Sequence, residues 1–305
     1  MTDQKGIATG KKKKSFSTII LVIILLLGLG IMLYPMVSDY WNSFHQTRAI
    51  ANYEAAVQEL DEADYEEIFA KAEAYNQYLR QLRFPFSEYE ELEEEYRDCL
   101  DVAGNGIIGY ITIDKIGVQL PIYHGTGEAI LNVAVGHLEG SSLPIGGESR
   151  HSVLSAHRGL PSAKLFTDLD KLEAGDVFTL TVLDRLLTYE VDQILIVEPD
   201  QIDALYMEEG MDYCTLQTCT PYGINTHRLL VRGHRVENAA DEVTVNADAV
   251  RIPPYIVVPA IAIPVLFVLL VVLLLVYSRK SKKITTEDIR ELYRQRDQDK
   301  GTEEK

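Results

Sequence analysis

The sequence TLQTCTPYGINTHRLLVRGHR, residues 215–235, contains two strand-like runs separated by a short turn. Pro221 ends the first run two positions after Cys219, so this cysteine lies where the chain leaves a sheet. Arg228 begins the second run, nine positions after Cys219. A hairpin formed by the two runs would set Cys219 and Arg228 side by side. The stretch therefore predicts a paired cysteine and arginine at the edge of a β-sheet.

The three cysteines of the chain fit a nucleophile better than a disulfide framework or a zinc site. They are Cys99, Cys214 and Cys219, an odd number with none of the common zinc spacings. We interpret Cys99 and Cys214 as small structural residues, because only Cys219 stands at a strand end. A thiol attacks a carbonyl carbon only as the thiolate, so Cys219 needs a base or a cation nearby.

Two of the seven histidines stand at the end of an apolar run, where a base could meet this cysteine. His157 follows the run 151–156, and His124 follows Leu120-Pro121-Ile122-Tyr123. The residues alone do not separate these two candidates. We expect the other five to be structural, exposed or close to the membrane: His45, His137, His151, His227 and His234.

Acyl transfer also requires a group that stabilises the oxyanion. Arg228 is the candidate because of its place in the predicted hairpin. Arg232 and Arg235 are alternative candidates. A charged residue at a strand end is most often only a solvated cap, so position alone does not assign this role.

Residues 104–240 predict a mainly β domain. Short apolar runs with a period of two are separated by Gly, Asp and Pro turns, which is typical of a closed barrel or a sandwich. Helical spacing of apolar residues predicts one short helix within this domain, over Pro161–Leu172. The predicted strands are 107–113, 118–123, 151–156, 177–183, 187–197, 214–219 and 228–233.

Residues 37–103 predict a helical region. Apolar residues recur at spacings of three and four from about residue 40 to residue 82, with acidic residues between them. A break at 61–64 divides this pattern into two helices, and Pro85 ends the second. Residues 88–97 predict a further acidic helix.

Two apolar runs predict membrane spans, over residues 16–36 and 255–277. Lysines at 11–14 precede the first run, and a basic cluster at 279–283 follows the second. By the positive-inside rule both termini are predicted to be cytoplasmic, with residues 37–254 outside the cell. The tails are then 1–15 and 278–305, and residues 241–254 are a linker. The alternative for the first run is a cleaved signal peptide, although no small-x-small cleavage site precedes Pro35.

The charge balance excludes one class of partner. A formal net charge of −17 argues against nucleic acid, because phosphate binding needs clustered Lys and Arg. No group of Cys, His or carboxylate residues has the spacing of a metal site, so neither a metal nor an organic cofactor is predicted.

The run at 215–235 resembles the signature of sortases, in which TLxTC is followed by an arginine on the next strand. Upstream pieces agree in order: Gly109-Tyr110-Ile111, then Leu120 to Thr126, then Gly136-His137, then Ser142 to Gly147, then AHRGLPSAKLF at 156–166. The resemblance covers roughly residues 104–236. It implies an eight-stranded β-barrel, with Cys219 as nucleophile, His157 as acid/base and Arg228 as the cation that stabilises the oxyanion. It thereby selects His157 over His124.

Two spans, a helical N-terminal extension and TCTPYGINTHR resemble in particular the class C sortases, which assemble pili in the Gram-positive cell wall. Those enzymes usually carry a lid with an Asp-Pro-aromatic motif. The matching residues here are Phe84, Pro85 and Phe86, within a predicted lid at 83–88, and Phe84 replaces the aspartate. The alternative is an interhelix loop with two buried phenylalanines.

The resemblance implies that the enzyme cleaves an LPxTG-like sorting signal through a thioacyl intermediate and joins it to an amine, most often a pilin lysine. One alternative is a sortase that anchors surface proteins to peptidoglycan. Another is a hydrolytic cysteine peptidase. The non-enzymatic alternative is a two-span membrane scaffold with an exposed β domain.

Overall fold

A computed structural model describes residues 16–82, 85–88 and 92–238, and four isolated residues beyond them, 267, 290, 291 and 294. The predicted second span at 255–277 therefore lies outside the described residues, except for Phe267. The chain divides into two compact units, residues 1–245 and 246–305. The barrel and the helices that pack on it belong to the first unit.

Eight strands form the barrel: β1 (Ile107–Ile113), β2 (Val118–His124), β3 (Val135–His137), β4 (Arg150–Ser155), β5 (Val177–Val182), β6 (Arg185–Val197), β7 (Asp212–Thr220) and β8 (His227–Val236). They close in the order β1-β2-β3-β4-β7-β8-β6-β5. The pairs β2–β3 and β4–β7 are parallel, and the other neighbours are antiparallel. The eight-stranded barrel implied by the resemblance is confirmed.

The strand predictions agree with the structure to within three residues at each end. β3 was not predicted as a strand, because three residues are too few to show an alternation. The predicted helix over Pro161–Leu172 is wrong, since only Leu169–Lys171 form a single 3₁₀ turn there. The apolar spacing in this segment reflects burial in the barrel core, with Phe166 and Leu169 fully inaccessible. Leu165 has a positive φ of 40°, which no helix accommodates.

The helices are α1 (Phe16–Gln58), α2 (Glu62–Leu79), α3 (Pro85–Glu88), α4 (Glu93–Asp98) and α5 (Glu128–Leu131). The predicted break at 61–64 is the start of α2. Asp61 accepts a hydrogen bond from the Asp64 backbone N–H at 3.0 Å, and the Asp64 side chain accepts one from the Asp61 N–H at 2.9 Å. This reciprocal cap satisfies two backbone donors at the helix end and explains why the chain turns there.

α1 is one continuous helix of 43 residues, with Pro35 inside it. Within the described part of the chain, it is the one helix long and apolar enough to cross a membrane, with a mean hydropathy of 1.7 in its apolar part. Its C-terminal part packs on the barrel through Ile50, Tyr53 and Val57, which are buried. The Tyr53 hydroxyl accepts a hydrogen bond from the Leu183 N–H at 2.8 Å.

α2 is held on the barrel by a buried amide. Asn76 is fully buried and contacts both backbone groups of Leu143, which lies in the loop between β3 and β4. Its Nδ2 donates to the Leu143 carbonyl at 3.2 Å, and its Oδ1 accepts from the Leu143 N–H at 2.7 Å. Glu73 on the same helix pairs with Arg150, whose side chain is 6% exposed.

We expect Asn76→Ala to lower the free energy of unfolding by about 2–4 kcal/mol, because it leaves two buried backbone groups without partners. Thermal unfolding followed by circular dichroism measures this loss. Gln77→Ala is the matched control, since Gln77 is exposed and its side chain contacts only Glu73 among the described side chains. It should change stability by no more than about 0.5 kcal/mol. Equal effects of the two substitutions would contradict a structural role for the Asn76 clamp.

Candidate active site

The parallel pairing of β4 with β7 brings His157 and Cys219 to the same rim of the barrel. The register ends at Ser155 opposite Gln217, and His157 and Cys219 follow two residues later on their respective chains. Because parallel strands run in the same direction, their carboxyl ends meet at one edge of the sheet. Both side chains line the same cleft.

Arg228 joins them through the antiparallel pairing of β7 with β8. Cys219 and Arg228 are direct cross-strand partners, as the hairpin prediction required. Side chains in such a position lie on one face with Cβ atoms about 4.5–5.5 Å apart. The sequence prediction of a neighbouring cysteine and arginine is therefore confirmed in the register of the sheet.

The three side chains line a cleft of about 210 Å³. Its backbone is fixed from two sides. The Thr218 hydroxyl donates to the Ala156 carbonyl at 2.8 Å, and the Phe166 N–H donates to the His157 carbonyl at 3.2 Å. The residues next to the cysteine and the histidine are thereby bound to each other or to the core, which limits how far the two can separate. The other lining residues are Thr126, Leu131, Leu138, Ser155, Ala156, Gln217 and Thr218.

The three cysteines differ in environment. Cys99 and Cys214 are buried, whereas Cys219 is partly exposed. Burial raises the pKa of the Cys99 thiol to about 11, and it raises the pKa of Cys214 well above its usual value. Both are therefore protonated at neutral pH and poor nucleophiles. The geometry leaves Cys219 as the thiol that a substrate can reach.

The structure separates the two histidine candidates. His124 is 3% exposed, packs edge-on against Tyr96 with ring centroids 4.7 Å apart, and lines a different cavity together with Arg97 and Asp101. Burial lowers the pKa of His124. His157, by contrast, lines the cleft of Cys219.

The two alternative arginines are engaged elsewhere. Arg232 pairs with Asp192 at 2.9 Å and with Glu208 at 3.3 Å. Arg235 donates to the Thr188 carbonyl at 3.1 Å. Neither lines the cleft, so Arg228 is the arginine that the fold presents to Cys219.

Two polar residues of the cleft were not predicted from the sequence. Ser155 and Gln217 stand two positions before His157 and Cys219, and the register places them opposite each other. The Ser155 hydroxyl and the Gln217 side-chain oxygen are buried and have no hydrogen-bond partner among the described residues. The sequence signal that could have found them is the period of two. It places Gln217 on the same face as Cys219, two positions later, and Ser155 in the same relation to His157.

The comparisons with known proteins agree with this geometry. Residues 111–236 match the family model of the sortase domain. Sortase C1 from Streptococcus agalactiae is 52% identical, and its structure superposes with a TM-score of 0.60 over 63% of this chain and 100% of that one. The chain belongs to the sortase family of cysteine transpeptidases.

Two further sortases are similar to this chain. Sortase C from Streptococcus pneumoniae is 44% identical, with a TM-score of 0.56 over 63% of this chain and 98% of that one. Sortase D of Bacillus subtilis strain 168 is 32% identical over 131 residues, which cover 42% of this chain. The chain spans 63% of the length of that enzyme. The two solved structures from Streptococcus agalactiae and Streptococcus pneumoniae are both of C-type sortases.

One wall of the sortase cleft is continuous with a small apolar cluster on the outer face of the barrel. Its buried residues are Val153, Leu205 and Leu230. Leu138, which lines the cleft, packs against this cluster, and so does Phe86 of α3. Of the three residues of the predicted lid, Phe84 lies outside the described residues, Pro85 is buried and Phe86 is half-buried.

A buried histidine of β4, His151, connects the loop between β6 and β7 to the barrel. The two ring nitrogens of His151 lie 3.0 Å from the Tyr206 carbonyl and 2.7 Å from the Thr215 hydroxyl. Tyr206 in turn contacts Phe86 edge-on, with ring centroids 5.5 Å apart. Burial lowers the pKa of His151 to about 4.

No metal centre accompanies the cleft in the part of the chain that the structure describes. Within residues 16–82, 85–88 and 92–238, no group of three or more His, Cys, Asp or Glu side chains could hold a metal ion.

The depressed pKa of His151 makes folding stability depend on pH. The unfolded chain binds a proton near pH 6.5, whereas the folded chain binds it only near pH 4. The contribution of the neutral, buried His151 to the free energy of unfolding is therefore complete above about pH 6.5. It is lost as the pH falls toward 4, by an amount on the order of 3 kcal/mol. Thermal unfolding between pH 7 and pH 4.5 should show the stability gap between wild type and His151→Gln narrowing on acidification. Thr215→Val keeps the imidazole, so its stability gap to the wild type should not narrow on acidification. If the stability of His151→Gln ran parallel to that of the wild type across this pH range, the depressed pKa of His151 would be contradicted.

Proposed function

We propose that this protein is a membrane-anchored transpeptidase that cleaves an LPxTG-like sorting signal and joins the acyl fragment to an amine. The observation that carries the proposal is the cleft in which Cys219, His157 and Arg228 meet at one rim of the barrel. The membership of the sortase family supports it independently. No organic cofactor or metal ion takes part in the proposed reaction.

The reaction takes place in two acyl transfers. The Cys219 thiolate attacks the carbonyl carbon of the Thr–Gly bond, and the Arg228 guanidinium stabilises the negative charge on the oxygen of the tetrahedral intermediate. His157 gives a proton to the departing glycine amine as the C–N bond breaks, which leaves a thioester on Cys219. An acceptor amine then attacks the thioester, His157 takes up the proton that the amine loses, and the C–S bond breaks to release the Cys219 thiolate as the new amide forms.

The polar pair behind the catalytic residues suits an extended peptide. Ser155 and Gln217 lie one two-residue step along the strands from His157 and Cys219. Both residues line the cleft, and their oxygen atoms are buried without a partner among the described residues. We expect the two side chains to turn toward the bound sorting signal and hydrogen-bond its backbone. Leu138, which packs on the apolar cluster and lines the cleft, offers a contact for an apolar side chain of the sorting signal.

We infer that the acceptor is a lysine of a pilin subunit. The support comes from the relatives, among them a sortase C1 of GBS pilus island 1, 42% identical, and the Streptococcus pneumoniae sortase C, whose structure bears on pilin substrate specificity. A peptidoglycan amine is the alternative acceptor, and the same three residues would serve it. Competition between a pilin lysine peptide and a cross-bridge peptide for the thioacyl enzyme distinguishes the two.

The proposed location is the cell membrane, with the barrel outside and both termini inside. The length and apolar character of α1 support the first anchor. The second anchor, at residues 255–277, rests on the sequence alone, from its lack of charged residues and the basic cluster that follows it.

We further propose that the segment around Pro85 and Phe86 acts as a lid. α3 is pressed closely against the barrel, because a Cβ at Gly140 would lie 2.7 Å from the Pro85 carbonyl oxygen and 2.9 Å from the Phe86 Cα. Gly140 also has a φ of 83°, which favours glycine. Phe86 packs on the same apolar cluster as Leu138, which lines the cleft, and it contacts Tyr206 edge-on. We expect its removal to open the entrance used by the sorting signal.

Incubation of the full-length protein with LPxTG-type peptides should produce a peptide-sized adduct on Cys219 that intact-mass analysis detects. Cys219→Ala should abolish the adduct and reduce transpeptidation to about one-thousandth or less, since the nucleophile is lost. Arg228→Ala should lower kcat by about 10²–10³-fold, the usual cost of one oxyanion-stabilising group. Cys99→Ala is the matched control and should retain the adduct. No adduct across a broad panel of sorting peptides would favour the non-enzymatic scaffold instead.

Phe86→Ala should raise the rate of adduct formation several-fold, because the side chain no longer covers the cleft wall. The rate of thioester appearance at limiting peptide measures this effect. Tyr78→Ala is the control, as Tyr78 is an exposed aromatic residue on α2 that does not line the cleft. An unchanged rate in Phe86→Ala would remove the lid and leave the transpeptidase proposal intact.

A further inference from the structure

The part of α1 between its apolar end and the barrel has two different faces. One face bears large apolar side chains that are between 50% and 63% exposed. We call it the aromatic face; it consists of Val37, Tyr40, Trp41 and Phe44. These residues recur at spacings of three and four and therefore form one stripe along the helix.

The opposite face of the same helical turns binds the barrel. The Asn42 Nδ2 donates to the Ser162 carbonyl at 2.8 Å, and the Asp39 carboxylate accepts from the Lys164 N–H at 2.7 Å. One turn further on, the Gln46 Nε2 donates to the Val133 carbonyl at 2.6 Å.

These contacts attach α1 to the two segments that border the cleft. Ser162 and Lys164 lie in the loop that begins at His157, and Val133 closely follows Leu131, which lines the cleft. The loop is fixed at its other end as well, through the Phe166 N–H and the His157 carbonyl. The position of α1 therefore determines the position of the cleft.

The continuity of α1 sets the height of these contacts above the membrane. If residues 16–36 span the hydrocarbon core, a rise of 1.5 Å per residue places Trp41 about 7 Å beyond its edge. The headgroup layer is roughly 5–8 Å thick on each side of the hydrocarbon core. Asp39 and Asn42 then lie within this layer or at its outer boundary.

Tyrosine and tryptophan prefer this depth, because one side of each ring is apolar and its polar atom can reach water or headgroups. The aromatic face continues the exposed apolar surface of the span, which includes Leu25, Ile31 and Met32. A lipid surface is therefore the partner that matches both its chemistry and its place in the chain.

We propose that the aromatic face lies in the headgroup layer of the outer leaflet, and that α1 holds the barrel directly on the membrane with the loop after His157 at the lipid surface. This inference rests on the proposed anchoring by α1. It goes further in assigning a lipid-contacting surface to the folded domain and a fixed height to the cleft. A barrel suspended on a free linker would carry neither feature.

Trp41 is the sole tryptophan of the chain and thus a native reporter of depth. The full-length protein in phospholipid vesicles is titrated with lipids brominated near the headgroup end or near the methyl end of their acyl chains. We expect the shallow bromines to quench Trp41 at least about twofold more than the deep ones, as for other interfacial aromatic residues. Iodide in the aqueous phase should quench it weakly.

Three further reporters, each in a Trp41→Phe background, calibrate the measurement. Leu26→Trp lies in the span and should be quenched most by the deep bromines. Ala55→Trp is exposed on the same helix, about 21 Å beyond Trp41, and should respond to iodide alone. Pro161→Trp is exposed in the loop after His157 and should respond to the shallow bromines. Retained adduct formation on Cys219 shows that each variant is folded.

The outcomes separate this inference from the anchor on which it rests. A Leu26→Trp reporter that deep bromines do not quench would overturn the anchor itself. Deep quenching of that reporter, with Trp41 open to iodide alone, would keep the anchor and overturn the docking. Protection of Trp41 from both bromines and iodide would mean that a second copy covers the face, which also overturns the proposal. A Pro161→Trp reporter that responds to iodide alone would overturn the contact of the loop with lipid.

Discussion

The parallel pairing of β4 with β7 is the constraint on which the site depends. An antiparallel pairing of β4 with β7 would place the carboxyl ends of these two strands at opposite rims of the barrel. Here the six Cα pairs from Arg150–Asp212 to Ser155–Gln217 run in one direction. The histidine after β4 and the cysteine at the end of β7 consequently emerge together. The hydrogen bond from the Thr218 hydroxyl to the Ala156 carbonyl ties the two chain segments together at this point.

The segments next to His157 and Cys219 hold both residues in place at the rim of the barrel. The segment after His157 buries Phe166 and Leu169 in the barrel, which anchors the histidine from its C-terminal side. β8 returns along β7 and supplies Arg228 in direct register with Cys219. A closed barrel has no free edge, so each of these strands is held on both sides. The strands that carry the cleft residues are therefore fixed in the barrel.

Several features were predicted from the sequence because they depend on local pattern. The strands follow from alternation, the start of α2 from the break in the apolar pattern at 61–64, and the hairpin from the turn after Pro221. The helix over Pro161–Leu172 was predicted wrongly for the same reason. Its apolar spacing is helical, but the Phe166 N–H bonds to the His157 carbonyl and the Lys164 N–H to Asp39, so the backbone groups that a helix would use are engaged elsewhere.

The sequence by itself placed Cys219 next to Arg228, because a hairpin is a local structure whose register follows from its turn. It also determined the apolar character of α1 and the family to which TLQTC belongs. The resemblance had selected His157 over His124, but only the tertiary structure showed that His157 shares the cleft with Cys219 and that His124 lines a different cavity. Only the tertiary structure also revealed Ser155 and Gln217 as cleft residues and showed that α1 is bonded to the loop after His157. These are contacts between segments far apart in the chain, up to 125 residues in the case of Asp39 and Lys164. Periodicity reports which face of an element is buried, but not which distant element covers it.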